Sequence, residues 1–245
     1  MSTRRANGLS RSGRLRAAPR AQRESDAIEE GRRAYMARDF AGARALWLPL
    51  AEAGNAEAQA WVGSLYANGD GVEADAAAAF AWYLKSAEGR NVLAQSNVGA
   101  MYAMGNGVAK DMAEAVRWLR RAARGGDANA RFNLGVLYSQ GNGVPQNHAR
   151  AAEWYRKAAE TGHYQSQARL GHMYLAGEGV KRDRVQAFLW LSLAARHGIG
   201  SALTALEAVV KEMSSDEKAQ GMRLVAHWRG KAASDADVII DPVPV

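Results

Sequence analysis

The stretch Trp61–Gly89, WVGSLYANGDGVEADAAAAFAWYLKSAEG, decides the fold, because the chain repeats it. A shift of 36 residues (from 63 to 99) carries Gly63 onto Gly99, Gly135 and Gly171. The same shift carries Tyr66 onto Tyr102, Tyr138 and Tyr174, and Gly71-Val72 onto Gly107-Val108, Gly143-Val144 and Gly179-Val180. Ala79 falls on Ala115, Ala151 and Ala187, and Trp82 on Trp118, Trp154 and Trp190. Four copies at one period, without slippage, describe a repeat array stabilised by contacts between neighbouring units.

Each unit reads as two helices. The first carries Ala58, Val62, Gly63 and Tyr66. A mid-helix Gly costs about 1 kcal/mol relative to Ala, so its recurrence predicts a second helix crossing closely at that point. Tyr66 and its equivalents are placed to fill the gap between units. In the loop Asn68-Gly69-Asp70-Gly71-Val72, the first Gly suits a left-handed helix C-terminus. The second suits a turn that a Cβ would obstruct, and Val72 returns as an apolar anchor. Asp75, Asp111, Asn147 and Asp183 are short polar acceptors suited to cap the second helix. Ala79, Trp82 and Ala87 give that helix its apolar face, and the Trp column is expected at the seam between units. Gly54, Gly126, Gly162 and Gly198 close the units. Arg90 interrupts this column, and Gly89 just before it is expected to serve instead.

The flanks are less regular. Residues 26–54 read as a degenerate helix pair without the Gly-x-Gly-Val loop, with Ile28, Gly31, Ala34, Tyr35, Ala43, Leu46 and Trp47 at helical spacing. After 55–198, residues 199–232 form an atypical closing pair. There Ser214-Ser215-Asp216-Glu217 offers a capping box for a helix with Met222, Val225 and Trp228 on one face. Residues 233–245 read as a loose tail whose Val238-Ile239-Ile240 could dock on the body.

Composition sets the class. Hydrophobic residues make up 48% of the 245, with only 5 prolines and no cysteine. The alanine-rich sequence therefore predicts an all-α protein, without disulfides, thiolate metal sites or a cysteine nucleophile. No apolar run reaches the ~20 residues that span a bilayer. The net charge of +7 comes almost entirely from residues 1–25, which hold seven arginines against one acid, Glu24. That Arg/Ser-rich segment has too little apolar surface to fold and is expected to be a disordered arm. It has no apolar core of a signal peptide. A cytoplasmic location is the expectation, although an exported one fits the absence of cysteine as well.

The pattern Ala-x-x-x-Leu-Gly-x-x-Tyr, Gly-x-Gly-Val, Asp, Ala-x-x-Trp, Ala-Ala-x-x-Gly resembles Sel-one-like (SLR) repeats, relatives of tetratricopeptide repeats with a longer loop between helices. The match covers roughly 55–213. The resemblance implies a right-handed α/α superhelix of antiparallel helix pairs, with first helices on the concave side and second helices on the convex side. It also implies an adaptor or scaffold that holds another protein, commonly bacterial, in signalling, envelope or host-interaction roles. Some disulfide-rich members bind or cleave β-lactams, but this chain lacks their cysteine staples.

Nothing in the sequence requires an enzyme, a metal or a cofactor. His148, His163, His172, His197 and His227 form no close ligand pair, and the Gly-x-Gly-Val loops lack the Lys-Ser/Thr of a phosphate loop. The informative residues are those expected to line the groove. Two before each repeat Gly stand Trp61, Asn97, Asn133 and Arg169. Ser64 and His172 stand one after, and Phe132 three before. Tetratricopeptide domains that clamp a peptide carboxylate use Asn and Lys/Arg at similar sites, which Asn97, Asn133 and Arg169 resemble. Amides and a guanidinium bind carboxylates by charge-assisted hydrogen bonds. The expected partner is a protein or peptide, acidic or presenting its C-terminal carboxylate, and no specific nucleic acid. Tethering to anionic lipid or nucleic acid through the basic arm is the alternative.

Overall fold

The computed structural model describes the backbone of residues 19–237 and the side chains of residues 19–228. The basic arm up to residue 18 and the Val238-Ile239-Ile240 cluster lie outside the described residues. Twelve helices and no strand are found among the described residues: α1 Arg20–Met36, α2 Phe40–Glu52, α3 Ala56–Asn68, α4 Ala76–Glu88, α5 Val92–Met104, α6 Met112–Arg124, α7 Ala128–Gln140, α8 His148–Ala159, α9 Tyr164–Ala176, α10 Arg184–Ala195, α11 Gly200–Glu212 and α12 Ser215–Asp237. Through α11, each helix packs on the next, and α12 folds back on α10. The result is a helical solenoid whose apolar clusters run from unit to unit.

The mid-helix glycines act as the repeat predicts. A Cβ on Gly63, Gly99, Gly135 or Gly171 would stand 2.5–2.9 Å from Tyr83, Leu119, Tyr155 or Leu191 of the same unit's second helix. The first pair repeats the device with Gly31 under Trp47, whose indole donates to the Ile28 carbonyl at 3.2 Å. Here the loop is shorter, so Gly and partner are closer in sequence. Gly221 of α12 likewise seats Phe188 of α10. The packing partner is thus the residue after the repeat Trp. The Trp column itself is mixed. Trp118 and Trp190 are buried, whereas Trp82 and Trp154 are half-exposed under Lys85 and Lys157.

The loop glycines differ from one another in what they do. Gly69, Gly105, Gly141 and Gly177 take φ of 71–75° and end the first helices. The second glycine of each loop also has positive φ and abuts backbone of the preceding unit: a Cβ on Gly107 would lie 2.0 Å from the Ala76 carbonyl oxygen. The carbonyls of Tyr66, Tyr102, Tyr138 and Tyr174 then accept from the backbone N–H of Asp75, Asp111, Asn147 and Asp183. Each of those four side chains caps its second helix, a contribution of about 1 kcal/mol apiece. Ser214 and Glu217 form the reciprocal capping box before α12.

Several expectations need correction. α1 begins at Arg20, inside the stretch read as an arm, where Arg20 and Glu24 pair at 2.6 Å. α12 continues through Asp237, beyond the expected start of the tail. Met222 is 59% exposed, and it is Leu224, Val225 and Trp228 that pack against the core. Gly89 does not replace the missing unit-closing Gly: it keeps φ −70°, while Arg90 itself takes φ 68°. The chain path between units demands a left-handed residue at that position, whatever its side chain.

Candidate functional site

The first helices present one stripe to solvent, at positions 57, 61, 64 and 68 of α3 and their equivalents in α5, α7 and α9. Most of their other positions are committed to packing, with Ala67 of α3 and Tyr164 at the start of α9 the exposed exceptions. Gln59, Gln95 and Gln167 are buried and donate to the carbonyls of Ala51, Ala87 and Ala159 on the preceding second helix. Arg131 makes the equivalent bond to Ala123 in the third unit. Next to them, Asn55, Asn91, Asp127 and His163 cap the first helices. His163 does so through Nδ1, which accepts from the Ser166 N–H at 3.2 Å. Burial lowers its pKa, opposed by Asp127. His163 is therefore a half-buried structural cap.

The expected ladder lies in the middle of the solvent stripe. Asn97 and Arg169 are exposed and Asn133 is half-buried. None of these three side chains has a hydrogen-bond partner among the described residues. Trp61 is different. It stacks on buried Trp47 at 4.8 Å and meets Tyr35 at 5.8 Å, so it belongs to the seam with the first helix pair. Ser64 is half-buried beside Asn68 and the Tyr83 hydroxyl.

Around Arg169 and His172 the surface deepens into two adjoining clefts. One, of about 410 Å³, lies over Tyr155 with Ser139, Met173 and Glu178 on its walls. The other, of about 450 Å³, has Phe132, Ala168 and Ile199 as its apolar part and Gln165 and Ser201 as its polar part. Arg169 and His172 line both. Phe132 is held by the rings of Tyr155 and His163, at 5.7 and 5.1 Å. Burial pushes the Tyr155 phenol up to about 12. Burial, then the charge of Arg169, pushes His172 down. At neutral pH the phenol keeps its proton and the imidazole is uncharged, which leaves Arg169 as the cation between the clefts. Such an arrangement can bind an anion next to an apolar side chain.

Two residues were missed by reading only the columns beside the Gly. Leu93 and Met104 of α5 are 65% and 68% exposed, and they lie on the same stripe as Asn97. The signal was available in the sequence: the outer columns of the stripe read Glu57, Leu93, Asn129, Gln165 and Asn68, Met104, Gln140, Ala176.

No helix among the described residues is long and apolar enough to cross a membrane. No curated protein matches the chain. Among solved structures, a protective antigen present in uropathogenic Escherichia coli strains and displaying an SLR fold is similar, with 31% identity and a TM-score of 0.77. The match covers 91% of this chain and 49% of that one, so the present chain spans about half the antigen's length. A Sel1 repeat protein from Oxalobacter formigenes has 34% identity and a TM-score of 0.69, over 82% of this chain and 84% of its own. The family model for the Sel1 repeat matches residues 56–91, 92–127, 128–163 and 165–199, the four helix pairs from α3 to α10. With the repeat in the sequence, the pairs in the structure and these matches in agreement, the chain belongs to the Sel1 repeat family.

Proposed function

We propose that the protein is a non-enzymatic scaffold that holds a peptide segment of a partner protein along its first helices. Sel1 repeat proteins are commonly protein-interaction scaffolds, and this reading adds a site. The observation that carries it is the ladder: Asn97, Asn133 and Arg169 stand at one position in three successive units, are exposed or half-exposed, and have no hydrogen-bond partner among the described residues. A backbone or carboxylate laid across them would find amide and guanidinium donors spaced along one path. Leu93, Met104 and the Phe132–Ile199 cleft offer apolar contacts beside that path. An extended segment with an acidic group, or its C-terminal carboxylate, at Arg169 and an apolar side chain over Phe132 satisfies both.

The test is capture from lysate with the intact protein and with the Asn97→Ala/Asn133→Ala/Arg169→Ala variant, after circular dichroism has shown equal helix content. A specific partner bound by the intact protein and lost by the folded variant is expected. A partner retained equally by both would move the site away from this ladder.

A further inference from the structure

We propose a second interaction surface, on the outer side of α6, that takes an acidic segment of a protein partner. Arg117, Arg120, Arg121 and Arg124 stand at i, i+3, i+4 and i+7, and all four are exposed. Apart from Ala113, they make up the whole solvent face of this helix. The repeat does not require them. The same positions are Ala81, Leu84, Lys85 and Glu88 in α4, and Glu153, Arg156, Lys157 and Glu160 in and just after α8. A helix dipole favours cations in the last turn, which accounts for Arg121 and Arg124 but not for the other two.

Three of the four guanidinium groups are also held in place. Arg117 and Arg121 lie over the ring of buried Trp118, at 5.5 and 4.7 Å. Arg120 donates to the Tyr138 hydroxyl of the next unit at 2.8 Å. Glu114, the one acid on α6, pairs with Arg117 at 2.7 Å, so the surface keeps a clear positive excess. Guanidinium groups fixed in this way lose little freedom when they bind carboxylates, and their planar forks match carboxylates in pairs.

Width selects the class of partner. On the helices to either side acids interrupt the exposed cations: Glu88 follows Lys85 on α4, and Glu153 stands between Arg150 and Lys157 on α8. A lipid surface or a nucleic-acid backbone would spread over those acids, whereas one acidic protein segment lies along α6 alone. No large apolar side chain is exposed on α4, α6, α8 or α10 to enter an acyl layer. The surface is distinct from the first-helix stripe and stands or falls independently of it.

The experiment measures fluorescence anisotropy of a labelled helical Ala/Glu peptide, with glutamates at i, i+3, i+4 and i+7, in about 50 mM salt. The full chain is compared with an Arg117→Gln/Arg120→Gln/Arg121→Gln/Arg124→Gln variant. A control removes the same charge elsewhere, through Lys181→Gln, Arg196→Gln, Lys211→Gln and Arg223→Gln. Helix content is matched by circular dichroism. The α6 variant is expected to bind at least tenfold more weakly and the control within twofold of the full chain. Equal weakening in both variants, or none in the α6 variant, overturns the proposal. Vesicles with 30% phosphatidylserine and a single-stranded oligonucleotide are run in parallel. If the α6 substitutions weaken binding to either of these more than to the peptide, the protein-segment assignment is overturned as well.

Discussion

Replacing Gly107 with Ala tests whether the second loop glycine clamps one unit to the next. Two costs apply at this position. Its φ of 70° puts an L-residue in the left-handed region, at about 1–2 kcal/mol. In addition, the new Cβ would lie 2.0 Å from the Ala76 carbonyl oxygen and 2.4 Å from its carbon. That neighbour is backbone at the start of α4 and cannot rotate away. α4 must withdraw by about 1 Å or more, which forfeits packing along the seam at a further cost of about 1–3 kcal/mol. Gly162→Ala is the internal control: φ is 89° there and nothing lies within 4 Å of the Cβ. Urea unfolding followed by circular dichroism should place Gly162→Ala about 1 kcal/mol below the parent and Gly107→Ala about 3 kcal/mol below. Equal losses would show that the loop glycine answers only to φ and that no backbone contact joins the units there.

The same logic predicts that Arg90→Gly stabilises the protein by about 1 kcal/mol, because Arg90 takes φ 68°; a loss of stability in urea titration would refute it. Gln95→Ala should cost about 2 kcal/mol in the same assay, since it removes a buried hydrogen bond to the Ala87 carbonyl, which keeps only the Arg90 N–H, and opens a buried site, and a change under about 0.5 kcal/mol, typical of surface sites, would contradict that. His163 has a lowered pKa in the folded state, so as pH falls below its ordinary value the unfolded chain takes up the proton first. Its contribution is therefore full above about pH 6.5 and is lost as pH falls toward the folded pKa. His163→Asn keeps a capping side chain, as at Asn55 and Asn91, and should reduce the loss of thermal stability between about pH 7 and 5. His172 titrates in the same direction, so part of the slope remains; an unchanged slope would refute the role given to His163.

Much of this fold was legible because a repeat states each structural demand four times. Gly63 and its copies announced a close helix crossing, and Asp75 and its copies announced caps, through residue types with narrow uses. The partner under each Gly was not legible, because Tyr83, Leu119, Tyr155 and Leu191 alternate between aromatic and aliphatic and share only bulk. Arg90 misled because sequence shows which residue usually takes a left-handed turn, whereas the connection between units dictates that one must. His163 looked idle because an imidazole rarely caps a helix; its register with Asn55, Asn91 and Asp127 was the clue. In the candidate site, Asn97, Asn133 and Arg169 could be found by counting from the repeat Gly. The clefts around Arg169 could not, since they join α7, α8, α9 and α11 through residues far apart in sequence.

The most direct test of the central claim is amide hydrogen exchange on the protein alone and bound to its captured partner. The account predicts new protection in α5, α7 and α9, along the path of Asn97, Asn133 and Arg169. Protection confined to the second helices α4, α6 and α8, with the first helices exchanging as in the free protein, would contradict it.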